Sequence, residues 1–383
     1  MGQLLEERDC APVFKGGFLP DGRISKSGED DSLQGIHAFS LWDFIMACGR
    51  LYRLKCSTSY FNEFMNFLRK KIYIAGHKGM VGSAIWRLLE TRGADRLIGL
   101  SSSELDLKDK SQVTAFFESE RPDIVIDAAA KVGGILANES YPYEFLMDNL
   151  QIQNNLIECA LNYNTERFLF LGSSCVYPKQ APQPIKEEYL LSGPLEVTNQ
   201  NYAVAKIAGI KACEAIFLKK HRLFTSIMPS NLYGAFDNFD LNSSHVLPAM
   251  IRKFHESKIN GNQPVRLWGT GNPLREFLYV EDLADAVIFL LDKTPTHPVL
   301  NVGCGYDIEI KKLAKMVQSV VGHEGEIFWD ADKPDGTLRK VMDVSKITSM
   351  GWEPKVFLVE GISKTYKWYL ENINSLKLVD MHI

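Results

Sequence analysis

A chain of 383 residues with 45% hydrophobic and 23% charged side chains has an ordinary globular balance, enough for one large domain or two. A net charge of −4, with no long run of lysines and arginines, argues against nucleic-acid binding. No apolar stretch is long enough to span a membrane.

The opening Met1-Gly-Gln-Leu-Leu-Glu-Glu-Arg is acidic and lacks the apolar core of a secretory signal, and Glu6 stands where a myristoylation signal needs Ser or Thr. The 7 cysteines (Cys10, Cys48, Cys56, Cys159, Cys175, Cys213 and Cys304) are scattered and show no Cys-x-x-Cys spacing. A reduced, cytoplasmic setting is expected, with no metal site. Residues 1–69 stand apart as an N-terminal extension, expected to be partly disordered. Within it, 21–34 is polar and rich in glycine and serine, whereas 39–69 is rich in Phe, Leu, Met and Tyr and suits a helix. The extension is either an interaction or targeting segment or an addition with no part in the fold.

From residue 70 onward, strand and helix patterns alternate. Strands are expected at 71–75, 97–100, 123–128, 167–171 and 224–228, and helices at 80–92, 111–120, 143–163 and 202–220. This alternation predicts a doubly wound α/β fold, a parallel sheet with helices on both faces and right-handed crossovers. Beyond about residue 232 the loops lengthen, and 238–280 and 299–357 carry only short strand and helix signals. The expected organisation is a dinucleotide-binding domain over 70–235, then 236–383 as mainly a smaller substrate-binding lobe, with some segments returning to the sheet.

The first strand runs into Gly76-His77-Lys78-Gly79-Met80-Val81-Gly82, a Gly-x-x-Gly-x-x-Gly turn that opens a helix. Glycines permit a tight turn and close backbone approach to a pyrophosphate, and a helix N-terminus offers it free N–H groups and a positive dipole. After the second strand come Ser101-Ser102-Ser103, with no acid at the strand end and Glu104 only later. An NAD site usually places an acid there for the ribose hydroxyls. Lys78 offers a point charge for an adenosine 2′-phosphate, so NADP is expected over NAD, unless Lys78 is a solvated lysine. Small residues in Ala128-Ala-Ala-Lys131-Val-Gly133-Gly134 leave room for a cofactor across the sheet edge.

The sequence Gly172-Ser173-Ser174-Cys175-Val176-Tyr177-Pro178, followed by Tyr202-Ala-Val-Ala-Lys206, carries the chemistry. A Tyr-x-x-x-Lys is weak by itself: with 14 tyrosines, about one is expected by chance at ordinary composition. Behind a glycine loop and a strand-end serine it reads as a hydride-transfer set. Tyr202 protonates a ketone oxygen as hydride arrives at carbon, and Lys206, one helical turn on, favours the tyrosinate. Ser173 hydrogen-bonds the same oxygen. Cys175 fits a thiol that removes a proton beside a carbonyl, or a small buried apolar residue. His245 fits an acid that returns such a proton, or a residue preceding a helix.

Together these segments resemble the extended short-chain dehydrogenase/reductases and, within them, the GDP-L-fucose synthase family. The likeness extends to Met228-Pro-Ser-Asn-Leu-Tyr-Gly234, Ser244-His-Val-Leu-Pro248, Trp268-Gly-Thr-Gly271, Arg275-Glu-Phe277 and Lys333-Pro-Asp-Gly-Thr337, covering about 70–373. The resemblance implies a Rossmann sheet, NADP(H), and conversion of GDP-4-keto-6-deoxy-D-mannose to GDP-L-fucose by inversion at C3 and C5 and reduction at C4. It implies Ser173, Tyr202 and Lys206 as the reductive set, and Cys175 and His245 as the base and acid of epimerisation. It places the cofactor on Gly76, His77, Lys78, Gly79, Met80, Val81, Gly82, Leu171, Gly172, Ser173, Ser174, Lys206, Pro229, Ser230, Asn231, Leu232 and His245. Lys253, Trp268, Arg275 and Asp335 would hold the GDP-sugar. A homodimer joined through the helices at 143–163 and 202–220 is also implied. Family members often carry an arginine for the 2′-phosphate where this chain has Ser101-Ser102-Ser103. The alternatives are a nucleotide-sugar 4-epimerase or 4,6-dehydratase that retains NAD, and a non-catalytic NADP-binding scaffold. A dehydratase of this superfamily is expected to carry Thr-Asp-Glu in place of Ser173-Ser174-Cys175.

Overall fold

The computed structural model describes residues 67–375, apart from Asn242 and Pro334. The polar stretch 21–34, and the part of 39–69 that precedes Phe67, lie outside the described residues. Phe67 and Leu68, assigned to the extension from sequence, are buried in the core that lies against the first strand.

The first part of the chain runs β1 (Ile72–Ala75), α1 (Met80–Thr91), β2 (Leu97–Ile98), α2 (Lys110–Glu120), β3 (Ile124–Asp127), α3 (Ile135–Ser140), α4 (Pro142–Asn162), β4 (Arg167–Leu171), α5 (Gln200–Lys220) and β5 (Leu223–Pro229). There follow β6 (Asn231–Tyr233), α6 (Val246–Ile259), β7 (Val265–Trp268), β8 (Leu274–Arg275), β9 (Phe277–Tyr279), α7 (Val280–Asp292), β10 (Val299–Val302), β11 (Ile308–Glu309), α8 (Ile310–Val321), β12 (Ile327–Asp330), β13 (Arg339–Lys340), α9 (Ser345–Ser349) and α10 (Leu358–Asn372).

Six parallel strands form the main sheet in the order β10-β5-β4-β3-β1-β2. A parallel sheet buried on both faces calls for near-continuous apolar runs, and these strands supply them apart from Asp127, Thr225, Ser226 and Asn301. Ile72, Ile74, Ile124, Ile126, Leu169 and Leu171 face one core with residues of α1 and α7. Tyr73, Val125, Phe168, Phe170 and Phe224 face a second core with residues of α2, α4 and α5. The fold is the doubly wound α/β arrangement that the alternation predicts. Truncating a filled position such as Phe224, 0% exposed, to alanine is expected to cost about 3–5 kcal/mol.

Local signals set the helix ends. Asp109 caps α2 by accepting from the N–H groups of Ser111 and Gln112. Pro142 opens α4, where a missing N–H costs nothing. The second strand is shorter than expected and stops at Ile98; next to it Gly99 leaves room for the His77 ring, which any Cβ there would strike. A third core, including Tyr233, Phe239, Ile251, Phe254, Val317 and Tyr369, joins α6, α8 and α10 around the short strands. Two later segments belong with the sheet: β10 extends it beyond β5, and α7 packs beside α1.

The chain leaves β1 for β2 on one side and returns through β3 on the other, so the carboxyl ends of β1 and β3 flank the switch point where ligands of such sheets bind.

Candidate active site

A cleft of about 1750 Å³ opens along those carboxyl ends. Its walls come from the glycine loop, residues 128–134, the turn after β4, the start of α5, residues 229–232, the start of α6, and β8 and β13.

At one end the backbone makes a cradle. Gly76 adopts φ +76°, and a Cβ there would lie 2.7 Å from the Ala128 carbonyl oxygen. A Cβ on Gly82 would lie 2.2 Å from the Gly76 oxygen. The Gly79 N–H closes the turn on the Gly76 carbonyl at 2.9 Å, and the Ser83 N–H returns to Gly79, also at 2.9 Å. The N–H groups of Met80, Val81 and Gly82 thus begin a helix without helical acceptors. Close backbone approach, a helix N-terminus and no side chain in the way fit a dinucleotide pyrophosphate. The opposite wall is fixed by main chain: Gly172 donates to Ile227 at 2.8 Å and Ser230 to Val302 at 3.0 Å. The Asn231 amide donates to the Glu276 carbonyl at 2.7 Å, and Leu171, Pro229 and Leu232 complete that wall. Asn149 clamps the Lys131 peptide from both sides, at 2.9 and 3.0 Å, which holds the 128–134 segment.

Beyond β2 the turn 101–104 folds on itself. The Glu104 carboxylate accepts from the Ser101 N–H at 2.8 Å and from its hydroxyl, and these bonds hold it below the usual carboxylate range. The acid is therefore spent on its own turn. Lys78 is exposed at the rim, and the His77 ring packs 5.6 Å from that of Trp86. Lys108, which the sequence did not single out, lines the same end and pairs with Asp148 at 3.8 Å.

At the centre, Ser173 caps the short turn Ser174–Val176, accepting from the Cys175 N–H at 3.3 Å. The Cys175 thiol is almost buried, and desolvation pushes it above its ordinary range against the opposing Lys340 charge. The Tyr177 hydroxyl donates to Asn301 at 2.6 Å and anchors the turn to β10. Tyr202 and Lys206 project from α5 into the cleft. Lys206, 2% exposed, donates to the Leu171 carbonyl at 2.9 Å, lies 4.5 Å from the Phe170 ring centre and 6.0 Å from that of Tyr202. The sequence led to the expectation that Lys206 would draw the Tyr202 phenol toward ionisation. Instead burial, then Cys175 and Asp127, drive it above its usual range.

His245 occupies the N-cap position of α6 and keeps accessible surface toward the cleft. Desolvation by the surrounding cleft, reinforced by Lys340, holds its imidazole below the ordinary range. Lys340, on β13 beside Arg275, thus acts on both Cys175 and His245. Sequence reasoning missed it, since a two-residue strand carries no periodic signal.

At the far end, Arg275 is partly buried on β8, and Trp268 is 55% exposed with the Lys333 ammonium 5.6 Å from its ring centre. Asp335 accepts from the Thr270 N–H and hydroxyl, both at 2.7 Å. The Lys253 ammonium donates to the Arg266 carbonyl at 3.1 Å. All four side chains expected from sequence to hold a substrate line the same cleft as the central groups.

A glycine cradle at the switch point of a doubly wound sheet, with a tyrosine and a lysine one turn apart beside a strand-end serine, defines a dinucleotide-dependent enzyme. The sequence profile of the NAD dependent epimerase/dehydratase family matches residues 72–303, and the chain belongs to that family. GDP-L-fucose synthase 1 of Arabidopsis thaliana is 54% identical over 303 residues, 79% of this chain and 94% of that protein. GDP-L-fucose synthase of Escherichia coli K12 is 48% identical over 313 residues, 79% of this chain and 98% of that protein. The solved structure of a GDP-L-fucose synthetase from Naegleria fowleri bound to NADP superposes with a TM-score of 0.73 at 27% identity, over 79% of this chain and 95% of that one.

Proposed function

We propose that the protein acts as a GDP-L-fucose synthase, inverting C3 and C5 of GDP-4-keto-6-deoxy-D-mannose and reducing C4 with NADPH. The carrying observation is that Cys175 and His245 line one cleft with Ser173, Tyr202 and Lys206. A reductase alone needs no thiol there.

In this assignment Gly76, Gly79, Gly82 and the first turn of α1 would hold the pyrophosphate of NADP(H), and Lys78 would supply a positive charge for the 2′-phosphate. When bound, the cofactor supplies the hydride for C4. The C–H bonds at C3 and C5 are acidified by the C4 ketone, because the enolate charge rests on its oxygen. Ser173 and Tyr202 donate to that oxygen and stabilise the enolate. The Cys175 thiolate removes the proton on one face, and the His245 imidazolium returns one on the other. At the reduction step Tyr202 gives its proton to the C4 oxygen, with Lys206 compensating the charge left behind. Arg275 binds the diphosphate, and Trp268 stacks on the base or sugar.

A homodimer through α4 and α5 belongs to the same assignment. The two helices pack on each other, while Val204 and Leu218 of α5 and Tyr143 of α4 remain 47%, 53% and 68% exposed. A cytoplasmic site of action fits the free cysteines Cys159, Cys175, Cys213 and Cys304, and no helix among the described residues is long and apolar enough to cross a membrane. We further assign 70–235 mainly to cofactor binding and 236–383 mainly to substrate binding.

The direct test mixes purified protein with GDP-4-keto-6-deoxy-D-mannose and NADPH, with NADH in parallel. Oxidation of NADPH with formation of GDP-L-fucose is expected. Inert, folded protein with both cofactors would reject the assignment, and tightly held NAD in purified protein would favour a 4-epimerase or dehydratase.

A further inference from the structure

On the sheet face covered by α5, one transverse row carries Ala75, Asp127, Phe170 and Ser226 in direct register on β1, β3, β4 and β5. Lys206 descends onto that row, its ammonium over Phe170 and bonded to the carbonyl of the adjoining Leu171. Asp127, the immediate neighbour of Phe170 across the sheet, is 0% exposed. One of its oxygens accepts from the Ala129 N–H at 3.2 Å, and Oδ2 has no hydrogen-bond partner among the described residues. A carboxylate ending an Ile-Val-Ile strand between two cores is costly unless something nearby uses its charge.

Lys206 on α5 and the Ala129 N–H lower Asp127, while Asp127 in turn raises Tyr73 on β1 and Tyr202, Lys206 and Cys213 on α5. Cys175, on the turn after β4, acts in turn on Tyr202 and Lys206. Of these groups among the described residues, Lys206 alone carries a positive charge.

We propose that Asp127 is a positioning residue for the hydride-transfer set, the buried counter-charge that keeps the Lys206 ammonium protonated beside Tyr202. This rests on the role assigned above to Tyr202 and Lys206. An ammonium withdrawn from water sheds its proton unless an anion stands near, and the acceptor Lys206 has in the structure, the Leu171 carbonyl, is neutral. Burial lowers Lys206, and Asp127 is the foremost influence raising it again. Burial in turn lifts Asp127 to about 6, and Lys206 is the first influence pulling it back. Asp127 is therefore ionised at neutral pH, when its charge is needed. Its native-state value exceeds its unfolded one, so its favourable contribution to stability is present at low pH and is lost as pH rises through about 6.

Two readouts test the proposal. In the pH profile of NADPH oxidation, Asp127→Asn keeps the shape and the acceptor for Ala129 but drops the charge. The alkaline limb is expected to move down by about one pH unit or more, making the variant about tenfold slower on that limb. An unmoved limb overturns the proposal, because a merely structural role for Asp127 leaves it in place. The second readout is the Tm of substrate-free wild type, Asp127→Asn, Lys206→Met and the double variant. At about pH 8, Lys206→Met is expected to be more unfavourable in wild type than in Asp127→Asn, and at about pH 5, with Asp127 neutral, equal in both. Additivity at both pH values overturns the proposal. Because the Tm cycle needs no turnover, inactivity toward the GDP-sugar counts against the proposed function alone.

Discussion

The two ends of the cleft are built differently. The cofactor end rests on six parallel strands, almost wholly buried except at the edge strand β2, and it presents mostly backbone: the glycine loop, the Gly172 peptide and the start of α1. The substrate end draws on the short strands β7, β8 and β13 and on α6, and presents long side chains, Trp268 being 55% exposed. A site made of backbone fails when a Cβ is added and tolerates little else. A site made of side chains loses affinity in steps. The central groups lie between these ends, with Ser173 and Cys175 on the turn after β4, Tyr202 and Lys206 on α5, and Lys340 reaching in from β13.

The largest effect expected from this contrast is at Gly82. Gly82→Val places atoms where even a Cβ would lie 2.2 Å from the Gly76 oxygen. NADPH affinity, measured by fluorescence titration, is expected to fall about 100-fold or more, some 2.8 kcal/mol. Retained affinity would mean that the cradle is not the pyrophosphate site. At the substrate end, Arg275→Lys keeps the charge and loses the planar fork. A KM for the GDP-sugar raised about tenfold, with kcat little changed, is expected. A fall in kcat alone would move Arg275 from binding to chemistry.

A smaller effect sharpens the middle. If the Cys175 thiolate and the His245 imidazolium act together, proton exchange at the sugar carbons should hold a flat maximum. It falls below the depressed histidine value and above the raised thiol value. Lys340 lowers both groups, so in Lys340→Met both limbs are expected to move to higher pH. Hydrogen–deuterium exchange into the sugar, followed across pH by NMR, reads this directly. Limbs that stay put would show that Lys340 does not act on the pair.

The same contrast governs what was legible in the sequence. The strands and the glycine loop announce themselves because a doubly buried parallel strand is apolar along most of its length and a pyrophosphate cradle must lack side chains. Tyr202 and Lys206 are legible as neighbours on one helix. Lys340 is not, because its place beside Arg275 is set by a parallel pairing of two-residue strands. Asp127 hides at the end of a strand whose other residues are apolar, and only the register with Phe170 and the descent of Lys206 give it a partner. The upward drive on Tyr202 was also beyond reach, since burial is a tertiary property. So was the burial of Phe67 and Leu68, which directly precede the charged Arg69-Lys70-Lys71.

The central claim is that one cleft performs proton exchange at carbon and reduction at C4, with Cys175 serving only the first. The most direct measurement runs the reaction in D₂O with wild type and Cys175→Ser, reading deuterium at C3 and C5 of the sugar by NMR and NADPH binding in parallel. Wild type is expected to carry deuterium at both carbons. Cys175→Ser is expected to lose exchange by about 100-fold or more while binding NADPH unchanged. Full deuterium incorporation in Cys175→Ser would contradict the account.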